Sequence, residues 1–222
     1  NAMRSGSVGI RTRGGSNNTI MNNLIDAQLN GVESWSEFNK IMGNTIYAPQ
    51  WGMWVLAPFC IITNNTIIGA KSEGIFLNSG CHLIKDNTIK FCNIGIGASS
   101  GNRIYHNSFI KNNVQAHIYG EASANIWDDG YPSGGNYWSD YAGVDVKSGP
   151  NQDLLGSDGI GDTPYIINTR NRDQYPLVIH DVAIVNVISS LSKVPIGDSV
   201  TVTVTAANLG NVLENFTVTA YY

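Results

Sequence analysis

Charge is scarce in this sequence. Asp, Glu, Lys and Arg together make up 14% of its 222 residues, against roughly a quarter in an average globular chain. The 13 Lys and Arg are scattered and give way to 17 acids, for a net charge of −4. Without a basic stripe there is no footprint for a phosphate backbone, which excludes nucleic acid as a partner. No apolar run approaches the roughly 18 residues of a membrane span, so nothing here inserts into a bilayer. Cysteine is sparse and odd in number (Cys60, Cys81 and Cys92). No CxxC pair or zinc spacing is present. The three read as buried apolar thiols, with a Cys60–Cys81 disulfide left open because the two fall close together in the repeat described next. Residues 1–3 read as a tag remnant without fold information.

What fills the sequence instead is 26 Asn and 24 Gly, a composition suited to turns and strands. Their spacing is regular. Gly9, Gly31, Gly52, Gly74 and Gly95 recur every 21 or 22 residues, each followed by Ile10, Val32, Met53, Ile75 or Ile96. Asn23, Asn44, Asn65, Asn87 and Asn107 recur in phase. Three residues before each stands Ile20, Ile41, Ile62, Ile84 or Ile104, and two after stands Ile25, Ile46, Ile67, Ile89 or Phe109. Ala116 and Ile118 continue a sixth, degenerate unit. Within each short run the apolar step is two, the strand period. A unit of about 21 residues with three short strands and three turns is one coil of a parallel β-helix, in which like residues stack every ~4.8 Å. The reading is therefore all-β: a right-handed parallel β-helix with isoleucine columns in its lumen and an asparagine column at a turn. The glycine column is expected to supply a turn with positive φ. A leucine-rich repeat is excluded because its Leu-x-x-Leu-x-Leu consensus is missing.

Coils occupy about 4–124. Residues 125–178 are rich in aromatics, Gly and Asp, and read as a cap over the open end of the helix, completing a domain of 4–178. Trp127, Tyr137, Trp138, Tyr141, Tyr165 and Tyr175 are its expected packing residues. The Asn-Thr-Ile coils, followed by Gly-Gly-Asn-Tyr-Trp-Ser-Asp-Tyr (134–141), Asp-Gly-Ile-Gly-Asp-Thr-Pro-Tyr (158–165) and Asp-Gln-Tyr-Pro-Leu (173–177), resemble the NosD-like parallel β-helix proteins. That resemblance implies a prokaryotic, notably archaeal, extracellular or S-layer-type surface protein within a wider group of carbohydrate-binding proteins and sugar hydrolases. Residues 179–222 alternate with period two and resemble the start of a cell-adhesion-related (CARDB-type) immunoglobulin-like sandwich. Such a sandwich needs about 100 residues, so three strands of a truncated domain are expected, with an unfilled edge open to homo-oligomer contacts.

Candidate sites follow from strand alternation. Two residues after each glycine the side chain should point outward: Arg11, Glu33, Trp54, Phe76, Gly97. Four after come Arg13, Trp35, Leu56, Asn78 and Ser99. Arg11, Arg13, Glu33, Trp35, Trp54 and Phe76 thus form a candidate glycan-contact patch, the alternative being cover by a neighbouring segment or protein. Asp153, Asp158 and Asp162, with Gly159 and Gly161, resemble a calcium-wrapping loop but miss the EF-hand spacing; no other cofactor is indicated. The coil acids Asp26, Glu33, Glu37, Glu73 and Asp86 fall in different registers, so no stacked carboxylate pair for glycosidase chemistry emerges. Copper, implied by the resemblance, would need converging Cys, Met or His; His82 and His106 lie in different columns. Sequons fall at Asn17, Asn64 and Asn215. The sequence reads as a noncatalytic surface module that binds carbohydrate or neighbouring proteins. A polysaccharide hydrolase or lyase is the alternative and a copper-delivery protein a minor one.

Overall fold

The computed structural model describes residues 2–120, 124–179, 182–190, 193, 195, 197–208, 210, 217 and 219. Three parallel sheets run along one axis. The five-stranded sheet holds Thr19–Met21, Lys40–Met42, Ile61–Thr63, Leu83–Lys85 and Arg103–Tyr105. The six-stranded sheet holds Val8–Thr12, Asn30–Ser34, Trp51–Val55, Glu73–Leu77, Ile94–Ala98 and Val114–Ile118. The seven-stranded sheet starts at Ala2–Ser5, proceeds through Leu24–Ala27, Thr45–Tyr47, Thr66–Ile68, Thr88–Lys90 and Ser108–Ile110, and ends on Tyr137–Trp138 in the cap. Ala2 and Met3, expected to carry no fold information, pair with Leu24 and Ile25.

The isoleucines stack as their spacing requires. Ile20, Ile41, Ile62, Ile84 and Ile104 are register partners in turn and are at most 6% exposed. Ile25, Ile46, Ile67, Ile89 and Phe109 form a second column, and Val32, Met53, Ile75 and Ile96 a third, all fully buried. Aliphatic side chains from all three sheets fill the lumen, so removal of apolar surface from water is the main stabilising term.

The asparagine column works by a repeated two-point contact. Asn44 donates its backbone N–H and its Nδ2 to Asn65 Oδ1, both at 3.0 Å. The pattern repeats from Asn23 to Asn44, Asn65 to Asn87, Asn87 to Asn107, and Asn107 to Asn136. An asparagine suits this because each carboxamide offers an acceptor to one side and donors to the other. The column needs a terminus that accepts from Asn136. Asp173 supplies it, taking the Asn136 N–H at 2.6 Å and the Trp138 indole at 2.9 Å. A second polar column, not read from the sequence, runs beside it. Asn18 donates to Asn39, the Cys60 N–H to His82 Nδ1, the His82 N–H to Asn102, and Asn102 to Asn125. Asn171 closes it, accepting from Asn125 and from the Trp127 indole. Asn171 and Asp173 thus join both columns to the cap, and Trp138 stacks on Phe109 at 4.6 Å and on Tyr165 at 4.2 Å.

The glycine column departs from expectation. Gly9, Gly31, Gly52, Gly74 and Gly95 lie within strands and none has positive φ. Their function is close approach: a Cβ on Gly52 would overlap both Ile67 Cγ2 and the Gly74 carbonyl oxygen of the next coil. The left-handed turn positions are held instead by residues such as Asn22, Asn64 and Phe91. Two strands of the C-terminal segment, Val182–Ser189 and Val202–Asn208, pair antiparallel and leave Ile184, Val187 and Val202 more than half exposed. The third expected strand, at 216–222, lies outside the described residues apart from isolated positions.

Candidate functional site

The outer face of the six-stranded sheet carries three columns of side chains. Alternation breaks at the glycines. The space that a Cβ on Gly52 would need is taken by Ile67 of the lumen, and Met53 lies in the lumen as well. Two successive residues thus face inward, and the residue before them faces out. Asn30, Trp51 and Glu73 hold this position in successive coils. The second column contains Arg11, Glu33, Trp54, Phe76, Gly97 and His117. The third contains Trp35, Leu56, Asn78, Ser99 and Tyr119, whose backbone amides each donate to the coil before.

Two buried carboxylates organise this face. Glu33, 2% exposed, accepts from Arg11 Nε at 2.5 Å, Asn30 Nδ2 at 2.8 Å and the Trp35 indole at 3.2 Å. Burial pushes its carboxyl upward, but the hydrogen bonds and charge of Arg11, with help from Asn30 and Trp35, bring it below the usual glutamate range. Glu73, 6% exposed, accepts from the Trp51 indole at 2.7 Å, from Tyr119 Oη, and from Ser72 Oγ. Burial, then the bond to Glu73, lifts the Tyr119 phenol to about 12. The polar edges of three rings are therefore tied to carboxylates beneath them. Trp54 packs between Trp51 at 4.9 Å and Trp35 at 6.5 Å, and Arg13 lies over Trp35 at 4.7 Å. Phe76 meets Tyr119 edge-on at 5.4 Å. Trp54 Nε1 and Asn30 Oδ1 are buried without a hydrogen-bond partner among the described residues.

All six residues named from the sequence for this patch lie on this face, and Trp35 sits at its outer edge, 38% exposed. Sequence reasoning missed Trp51, Glu73 and Tyr119. The signal for Tyr119 was its spacing of 20 from Ser99. The signal for Trp51 and Glu73 was the glycine that follows each.

The other expected sites are not assembled. Asp153, Asp158 and Asp162 do not form a metal-holding group, and no group of three or more His, Cys, Asp or Glu does so among the described residues. Asp158 accepts from the Gly149 and Ile160 amides and from Gln152 Nε2. Asp162 accepts from the Val146 and Lys147 amides. These carboxylates pin loop backbone. Cys60, Cys81 and Cys92 are free thiols; Cys60 is stacked under His82 and not bonded to Cys81, which is exposed. Burial pushes the Cys60 and Cys92 thiols up. His82 has both ring nitrogens engaged, by the Cys60 N–H and Ser79 Oγ, and burial lowers its pKa to about 4. Of the sequons, Asn17 and Asn64 are exposed; Asn215 is outside the described residues.

No helix among the described residues is long and apolar enough to cross a membrane. Comparison with curated proteins and with solved structures gave no match. The profile of one protein family, described as "Periplasmic copper-binding protein (NosD)", matches residues 1–143. With a parallel β-helix whose columns keep register through those residues, and a match over well more than half of its length, the chain belongs to the NosD family.

Proposed function

We propose that the protein is a noncatalytic envelope module that binds glycan through the outer face of the six-stranded sheet. The observation that carries this reading is the locking of Trp35, Trp51 and Tyr119 onto buried Glu33 and Glu73. Rings fixed by their polar edges lose little freedom on binding and keep a π face for the C–H surface of a sugar. Arg13 at the rim adds donors for hydroxyls. The same hydrogen bonds speak against hydrolysis. A general acid must give up a proton and a base must take one, yet every oxygen of Glu33 and Glu73 is already accepting.

Copper handling, which the family's description carries, finds no group of three or more His, Cys, Asp or Glu among the described residues. His82 is committed on both sides, Cys60 and Cys92 are buried, and Met53 is in the lumen. Soft copper sites need such donors converging on one point. The glycan reading is tested by array screening of the purified chain, followed by calorimetry with the best ligand. Trp35→Ala, at an exposed position, should weaken binding at least about tenfold while the melting temperature holds, as loss of one stacking ring predicts. Absence of any glycan ligand, or an unchanged affinity in Trp35→Ala, overturns it.

A further inference from the structure

A second groove lies beside the ring face, at the corner where the seven-stranded sheet turns into the six-stranded one. It has a volume of about 480 Å³ and is built from three successive turns, 69–72, 91–93 and 111–113. The turns stack by the repeat. Gly69, Phe91 and Lys111 occupy its left-handed position, with φ of 76°, 57° and 51°. The Gly69 and Phe91 amides donate to Lys90 O and Ile110 O of the next coil, and the Lys111 amide to Ser139 Oγ. The next residue of each turn, Ala70, Cys92 or Asn112, points into the core. The one after, Lys71, Asn93 or Asn113, lines the groove.

The side chains gathered there have chemistry that the fold does not use. Lys71 and Lys111 line the groove, and Lys90 Nζ stands 5.8 Å from the centre of the Phe91 ring. None of the three ammonium groups forms an ion pair with a described carboxylate, although the chain is net acidic. Phe91 is 54% exposed. A bulky residue is disfavoured in the left-handed region, and no aromatic neighbour covers it among the described residues. Phe38 and Phe59, at the equivalent position of another corner, stack on each other at 5.0 Å. Asn113 Nδ2 donates to Asn93 Oδ1 at 3.1 Å, which orders the amides along one wall.

We infer that this corner groove binds a saccharide bearing anionic groups, a uronate or a sulfated sugar, distinct from the ligand of the ring face. Lys71 and Lys111 supply charge for the carboxylate or sulfate, the Phe91 face takes the apolar side of the sugar ring, and the Asn93–Asn113 amides meet hydroxyls. Lys71 and Lys111 stand two coils apart, roughly 10 Å along the axis at ~4.8 Å per coil, so an extended oligosaccharide is favoured over a monosaccharide.

The test is calorimetric titration of the full chain at low salt with three probes: tri-galacturonate, its methyl ester, and an oligothymidylate with the same number of charges. The acid trimer should bind at least about tenfold more tightly than the ester, and the difference should shrink with added salt. A Lys71→Gln/Lys111→Asn double variant should lose about tenfold in affinity for the acid trimer, as two weakened charge contacts imply. Phe91→Asn should lose several-fold. Asn is chosen at 91 and 111 because it tolerates the left-handed backbone, and unchanged melting would verify the fold. Trp35→Ala should leave this binding intact, which separates it from failure of the ring-face reading. Equal affinity for acid and ester, insensitivity to the double variant, or equally tight binding of the oligothymidylate overturns the assignment.

Discussion

Replacing Asn65 with alanine tests the asparagine column directly. Asn65 is 1% exposed. Its Oδ1 accepts from Asn44 N and Asn44 Nδ2, and its Nδ2 donates to Ile41 O at 2.8 Å, Thr63 O at 3.0 Å and Asn87 Oδ1 at 2.9 Å. In Asn65→Ala, Asn44 Nδ2 keeps Ile20 O and Met42 O, and Asn87 Oδ1 keeps the residue 65 backbone amide. The Asn44 backbone N–H loses its acceptor. One orphaned buried donor costs about 1–3 kcal/mol, and the weakened carbonyls and broken column add to it. The expected destabilisation is therefore about 3–5 kcal/mol. Urea unfolding followed by tryptophan fluorescence measures it, at unchanged denaturant slope. The matched control is Asn64→Gly next door. Asn64 is exposed, sits at φ 56°, and its side chain bonds to Thr63 Oγ1 while its backbone amide, kept in glycine, donates to Lys85 O, so its change should stay within about 0.5 kcal/mol. If Asn65→Ala falls within about 1 kcal/mol of the parent protein, the column is decoration, and the coils are held together by their lumen and strand ladders alone.

Gly52→Ala should cost at least about 2 kcal/mol, because one of the two atoms its Cβ would overlap is a backbone carbonyl that cannot rotate away; Gly69→Asn, with open space around its left-handed position, should be close to neutral in the same denaturation assay. Two buried titrating groups oppose each other with pH. Burial raises Asp173 from 3.8 to about 7 despite the donors around it, so the folded state holds its proton longer than the unfolded chain, and stability falls as pH rises from about 4 to 7. Burial lowers His82 to about 4, so there the unfolded chain binds the proton first, and stability rises over about pH 4 to 6.5. The wild type should therefore be nearly flat over that range. His82→Asn, which retains an acceptor for the Cys60 amide, should unmask a loss of up to about 1.4 kcal/mol per pH unit; melting curves at pH 4.5, 5.5 and 6.5 that stay flat in the variant would refute the balance.

The repeat was legible because a solenoid turns sequence period into spatial contact: Ile20, Ile41 and Ile62 are 21 apart and therefore neighbours. Lumen columns, the asparagine column and the outward placement of Arg11, Glu33, Trp35, Trp54 and Phe76 all follow from period and alternation. What alternation could not convey is local departure from it. Gly52 and its equivalents are strand glycines packed against the next coil, so Trp51 and Glu73 also face outward, which a strict period of two would deny. The second polar column was hidden because Cys60 and His82 interrupt its asparagines, and a backbone N–H can donate to an imidazole as well as to an amide. Asp173 and Asn171 lie far beyond the repeat and carry no spacing signal; only folding of the cap brings them onto Asn136 and Asn125. The sequence alone thus determined the axis, the pitch and what stacks on what, because those depend on local periodicity. The tertiary structure decided where the columns end and which polar groups share a carboxylate, because those depend on segments distant in the chain meeting in space.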